Sequence, residues 1–231
     1  MDQTVEQLID SASEHMVDHK AFKDAIIISQ HTQRNWDLSR EISQEDMDLL
    51  IHAATQCPSK QNIAYYKAHF ITNRELIEKI HAVTTFKSRH KKYEIMTNTQ
   101  VLANLLIVFE KVDFIPSLYN DIPRSNETDA IISGTQTEID MECLRRDAEM
   151  AVGIAAGYLN LTASLMGLRT GCCACFGVNS VKEILGLENE PLLLMGIGYK
   201  NPGKNRRVHH SISEVIFSSK TKQPIEVKVY K

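Results

Sequence analysis

The hydrophobic positions along this chain change rhythm several times, and each rhythm predicts an element. Residues 1–29 carry Val5, Leu8, Ile9 and Met16 at near-helical spacing, then an apolar patch at Ala25–Ile28, so helix is expected there. Ser43, then Asp46, then Met47, Leu49, Leu50 and Ile51 predict an N-capped helix with acids in its first turn. That helix is expected to end near Thr55, because Pro58 disfavours helical backbone at Cys57. A polar loop over Cys57–Asn62 leads to a short strand at Ala68–Thr72 and a helix at about Arg74–Ala82. Ala103–Phe109 reads ANLLIVF, a continuous apolar run of the kind that forms a strand covered on both faces. Residues 117–140 are polar and irregular and predict a long loop.

The stretch Met150–Phe176 is the expected axis of the fold. It opens as a helix of small and apolar residues, with Ala151, Gly153, Ala155, Ala156, Gly157, Ala163 and Ser164, and it ends in a cysteine-rich loop. Small side chains let a second helix approach closely, and each glycine costs a helix about 1 kcal/mol against alanine, so a packing demand is implied. Asn160, Thr162 and Ser164 break an apolar run that barely reaches the roughly 20 residues a bilayer requires, so no membrane span is expected. Beyond it lie a short helix at Val181–Leu185, a buried strand at Pro191–Tyr199, a basic turn at Asn201–Arg207 and an alternating, half-buried strand at Ile225–Tyr230. Helices and strands interleave without regular βαβ units, which argues for an α+β layer fold.

Composition changes this picture little. The 231 residues are 43% hydrophobic and 24% charged, ordinary for one large domain with a real core. A net charge of -3 argues against a polyanion-binding surface. The basic run Lys87–Glu94 is short and lacks interleaved aromatics, so it reads as a solvated face or an entrance rim, with no nucleic-acid partner. No basic start with an apolar run marks a signal peptide. The five cysteines, three of them within Cys172–Cys175, do not form a disulfide framework, and a cytoplasmic location is expected.

Common chemical signatures are missing: there is no P-loop, no G-x-G-x-x-G after a strand and no H-E-x-x-H. Cys172, Cys173 and Cys175 lack a second C-x-x-C pair for zinc, and no metal is expected. A nucleophilic Cys175 or Cys57 near a histidine is conceivable, although space-filling cysteines are commoner. What remains suits a flat, anionic cofactor: Arg34, Lys60, Lys204, Arg206 and Arg207 supply positive charge, and Thr32, Ser59, Asn62, Asn98 and Gln100 supply neutral hydrogen bonds.

The order of these groups resembles the FMN-dependent nitroreductase family over about residues 23–210. Gln30-His31-Thr32-Gln33-Arg34 stands where that family has Arg-x-Ser-x-Arg/Lys, and Pro58-Ser59-Lys60-Gln61-Asn62 matches its Pro-Ser-x-x-Asn loop. Asn98 and Gln100 precede the buried strand. The helix closing in Met166-Gly167-Leu168 is similar to the family's dimer helix. Gly171-Cys172-Cys173-Ala174-Cys175-Phe176 stands for the loop that passes the flavin, Gly196-Ile197-Gly198-Tyr199 for a Gly-Tyr strand, and Lys204-Asn205-Arg206-Arg207 for the phosphate-binding turn.

The resemblance implies a nitroreductase-like α+β fold with a mixed, mostly antiparallel central sheet flanked by helices, in a homodimer with a long interface helix. It divides the chain into an N-terminal helical arm at 1–22 and an FMN-binding domain at 23–231. It implies Arg34 near flavin N1 and O2, a backbone N–H from Ala174 or a neighbour near N5, and the phosphate among Arg206, Arg207, Lys204 and Gln30–Thr32. Pro58–Asn62 would come from the other subunit. Electrons would pass from NADH or NADPH through FMN to a small conjugated acceptor such as a nitroaromatic, quinone or enone. No catalytic side chain is implied, since the cofactor carries the hard chemistry. Two departures stand out: Gln30 replaces the family's first arginine, and Cys172, Cys173 and Cys175 replace a loop that more often carries Pro, Trp or Glu with Gly. They motivate two alternatives, a non-catalytic FMN-binding or scaffold homodimer of the same fold and a cysteine-dependent enzyme without flavin.

Overall fold

The computed structural model describes residues 18–88, 90–112 and 138–230. Helix α1 (His19–Ser29) starts where the Asp18 carboxylate accepts the N–H groups of Lys20 and Ala21. Helix α2 (Gln44–Thr55) starts at the expected cap, with Ser43 Oγ accepting from Asp46 N at 3.1 Å. Strand β1 (Tyr66–Ile71) leads to helix α3 (Arg74–Ala82), capped by Asn73, and then to a short hairpin of β2 (Thr85–Lys87) and β3 (Ile95–Thr97). Strand β4 (Leu105–Lys111), helix α4 (Glu138–Leu165), strand β5 (Arg169–Cys173), helix α5 (Val178–Leu185) and strand β6 (Pro191–Gly198) complete the order.

The main sheet runs β1-β4-β6-β5, and every pairing in it is antiparallel. Its β4 explains the continuous apolar run. Leu105, Ile107 and Phe109 enter a core with α2 and α4, while Leu106 and Val108 enter another on the opposite face with α3 and α5. Two covered faces leave no position for a polar side chain, so alternation disappears. Helix α4 turns Ala151, Val152, Ala155, Ala156, Leu159 and Ala163 inward. The alanines let its axis lie close to the sheet. Gly167, at φ +79°, ends the helix in a left-handed turn that Leu168 N closes onto Ala163 O.

Three expectations change. Cys172 and Cys173 belong to β5 and not to a loop, because both pair with β6 and their side chains enter opposite cores. The C-terminal segment 225–230 has no strand partner among the described residues, and Ile225, Val227 and Val229 are at least three-quarters exposed. Alternation shows that a segment suits an edge, but an edge must be within reach. The expected loop 117–140 lies mostly outside the described residues, and its last three residues already belong to α4. The expected arm at 1–22 is likewise mostly outside them. Among the described residues no helix is long and apolar enough to cross a membrane.

Candidate functional site

The segment after α1 is held from three sides, and that fixes Arg34. Its own N–H donates to Arg206 O at 2.9 Å, and its carbonyl accepts Thr99 Oγ1 at 2.7 Å. The next residue, Asn35, is fully buried and donates through Nδ2 to Asn205 O and Val208 O, tying the basic turn to this segment. Trp36 is 1% exposed and donates its indole N–H to Thr99 O. Arg34 therefore has a backbone position that neither solvent nor side-chain motion can easily change.

Its guanidinium donates through Nη1 to Gln100 Oε1 and lies 4.3 Å above the Phe217 ring. Burial lowers its pKa from the ordinary value; Cys173 opposes the shift and Arg206 adds to it. Gln100 also donates to Cys172 O, and Asn98 donates to Thr84 O and Cys175 O. Asn98 is the residue that precedes a turn of 3-10 helix at Thr99–Val101, and Gln100 belongs to that turn, which lies directly on the sheet. Gly171 and Gly196 are cross-strand partners beneath it. A Cβ on Gly171 would stand 2.5 Å from Gln100 Cβ, and one on Gly196 would stand 2.0 Å from Gln100 O. This glycine pair is the floor on which the turn rests.

Beside Arg34 opens a cavity of about 190 Å³. Gln30, His31 and Thr32 form one wall, and Arg34, Arg206 and Arg207 supply charge. Phe217, Ser218, Ser219 and Lys220 close it. Among the described residues four cations line this space and no carboxylate does. Cations held together with no acid between them repel one another, and an anion relieves that cost. Lys204, expected here, instead donates to His210 O at 3.0 Å and is not in the lining.

The Pro58–Asn62 loop lies elsewhere. Its Ser59 and Asn62 line a different cavity of about 430 Å³, together with Cys57 and Tyr66. Lys60 is held by Asp147, 4% exposed on α4, at 2.6 Å. Asn62 ends its short turn at φ 55°, a left-handed conformation that asparagine tolerates better than most residues. Within one protomer, then, Gln30–Arg34, Asn98, Gln100, Arg206, Arg207 and the backbone of Cys172–Cys175 converge, while Pro58–Asn62 stands apart. Ala174 and Cys175 are exposed just past β5.

Burial pushes the thiols of Cys172 and Cys173 upward, which keeps them protonated and argues against a thiolate nucleophile at either. Among the described residues no group of histidines, cysteines and carboxylates could hold a metal ion.

A histidine cluster packs behind the site. His209 stacks on Phe217, with ring centroids 5.9 Å apart, and His81 buries an Nε2 with no hydrogen-bond partner among the described residues. Burial first, then His209, His210 and Arg74, push His81 down to about 4; burial first, then His210, Arg34 and Lys204, push His209 to about 4. Both are neutral when folded, and an unfolded histidine takes a proton near its ordinary 6.5. The stability they preserve is full above that value and is lost as pH falls from 6.5 toward 4. The thermal midpoint should thus fall steadily from pH 7 to pH 5, and His81→Asn should flatten that slope. An equal slope in the variant would assign the pH dependence to other groups.

The wall at 217–220 escaped the sequence reading. It arrives through an isolated bridge between Val208 and Ile216, with Phe217 N donating to Arg207 O. Its only local signal was a polar Ser-Ser-Lys after Phe217, which has no periodicity.

The fold of the chain matches that of solved proteins. No curated protein sequence matches the chain. Among solved structures it is similar to a candidate NAD(P)H:FMN oxidoreductase from Staphylococcus epidermidis, with TM-score 0.59, 19% identity, and coverage of 91% of this chain and 94% of that one. A candidate nitroreductase from Bacillus subtilis gives TM-score 0.63 at 16% identity, covering 90% and 97%. A candidate nitroreductase from Exiguobacterium sibiricum, solved in complex with FMN, gives 0.57 at 17%, covering 85% and 94%. At such identities the likeness is one of fold. The sequence profile of the nitroreductase family, however, matches residues 27–199, from the end of α1 to the end of the main sheet, and by that match the chain belongs to the nitroreductase family.

Proposed function

We propose that this protein is an FMN-dependent oxidoreductase that takes electrons from NADH or NADPH and passes them to a small conjugated acceptor of nitroaromatic, quinone or enone type. The observation that carries this reading is the acid-free, four-cation cavity joined to the Arg34 guanidinium. Bound there, FMN would supply the two-electron redox chemistry. The protein's part is to bind, orient and bias. Arg206, Arg207 and the Gln30–Thr32 wall would hold the phosphate, with arginine forks suited to its oxygens. Arg34 would hold the pyrimidine edge of the ring, where a cation favours the reduced, anionic form. The exposed backbone at Ala174 and Cys175 permits close approach to the ring, since Ala174 carries only a methyl group.

The Pro58–Asn62 loop stands apart from Arg34 in the protomer, which suits a site completed by a second copy. The outer face of α4 supports a homodimer: Met150, Ile154 and Tyr158 are exposed there with Gly153 and Gly157 among them. Such a dimer also gives a place for Ile225, Val227 and Val229, as a strand against the other protomer's sheet. The test is the visible spectrum of the purified, FMN-loaded protein before and after anaerobic NADH or NADPH. Bleaching of the yellow colour is expected. A stable yellow protein that resists both nucleotides would favour the non-catalytic flavin-binding alternative. A colourless protein that takes up no FMN would overturn the reading.

A further inference from the structure

The segment Phe217–Lys220 is placed by three contacts and not by chance proximity. Phe217 N donates to Arg207 O at 2.9 Å, its ring stacks between His209 and the Arg34 guanidinium, and Ser219 Oγ accepts Arg206 Nη2 at 3.2 Å. A hydroxyl that accepts from a guanidinium still has its own O–H to donate. That proton can serve an anion in the same cavity. Lys220 lines the cavity, is exposed, and makes no ion pair among the described residues. Gln30, which lines the same cavity, is neutral, so Lys220 adds to the arginines a charge that the Gln30–Thr32 segment does not carry.

From this juxtaposition we propose that Ser219 and Lys220 bind the phosphate of the flavin mononucleotide, closing the anion site with a strap that follows the basic turn. The proposal rests on the flavin reading above. It assigns two ligands, a hydroxyl and an ammonium, to a stretch with no motif. It also makes the phosphate, and not the ring, the group that this strap selects. Lys220 acts as a point charge without fixed geometry, whereas the arginines orient the oxygens.

The test is a titration of FMN and of riboflavin, which lacks the phosphate, into the wild-type protein, Lys220→Ala, Ser219→Ala and a charge control, Lys222→Ala. Flavin fluorescence quenching reports each Kd. Lys220→Ala should weaken FMN about tenfold, the loss of one charge-assisted contact at a solvent-facing site. Riboflavin should bind Lys220→Ala as it binds wild type, and Lys222→Ala should match wild type for both ligands. Ser219→Ala should fall between. Adding Gln30→Arg to Lys220→Ala should recover FMN affinity, because it returns a cation to the lining of the same cavity. If Lys220→Ala and Lys222→Ala bind FMN alike, or if riboflavin loses as much as FMN, the strap assignment is overturned while the flavin reading stands. A wild-type protein that binds no FMN overturns both.

Discussion

Replacing Arg34 with alanine should weaken FMN binding roughly a hundredfold, the equivalent of about 3 kcal/mol for a charged hydrogen-bonding group removed from a half-buried site. The bound flavin should also become harder to reduce, with a more negative midpoint potential. The argument begins with the backbone. Arg206 O and Thr99 Oγ1 hold both main-chain groups of Arg34, so the variant keeps the segment in place and loses only the side chain. The guanidinium has one N–H on Gln100 and one face on Phe217. Its other N–H groups have no hydrogen-bond partner among the described residues and suit the proposed ligand. On the proposed placement, a neutral replacement would leave the reduced, anionic flavin without a cation, and the potential should move accordingly. Arg34→Lys should land between, because the charge stays while the planar fork and the stack are lost. Equilibrium titration and a spectroelectrochemical potential measure both effects. Unchanged affinity together with an unchanged potential would remove Arg34 from the flavin.

How far the sequence could be read follows from the range of each interaction. Ser43 was legible as a cap because its partner, Asp46 N, is three residues away. The β4 strand was legible because burial on two faces writes itself into consecutive side chains. Arg34 was singled out through the order of polar groups, and the structure places it on the lining of the cationic cavity. Cys172 and Cys173 were misplaced into a loop because RTGCC neither alternates nor runs apolar, and its pairing with β6 lies more than twenty residues ahead. The strap at 217–220 depends on Phe217 meeting Arg34, 183 positions earlier, a contact with no local trace. The C-terminal alternation was read as a half-buried strand, but among the described residues it has no strand partner and Ile225, Val227 and Val229 are exposed.

Gly196→Ala should be among the most damaging small substitutions in the chain, although alanine suits a strand at least as well as glycine does. An added Cβ would stand 2.0 Å from Gln100 O and 3.0 Å from Ala103 Cβ. The first of these is a main-chain atom, so no rotamer change relieves it. Either β6 shifts at the centre of the sheet or the Thr99–Val101 turn lifts away. The cost should be about 3 kcal/mol, the upper part of the overpacking range. For a chain of this size that lowers the thermal midpoint by roughly 6–12 °C. The effect should reach the site as well, because the lifted turn carries Gln100, which holds Arg34. FMN affinity and thermal stability should therefore fall together. Gly153→Ala and Gly157→Ala separate this mechanism from a general intolerance of glycine replacement. Their added Cβ atoms meet nothing within 4 Å in the protomer, and each should favour the helix by about 1 kcal/mol. On the proposed homodimer, any harm they do should appear in the mass measured by light scattering and not in the thermal stability of the fold. A Gly196→Ala protein that melts and binds FMN like wild type would mean that the turn does not rest on the Gly171–Gly196 floor.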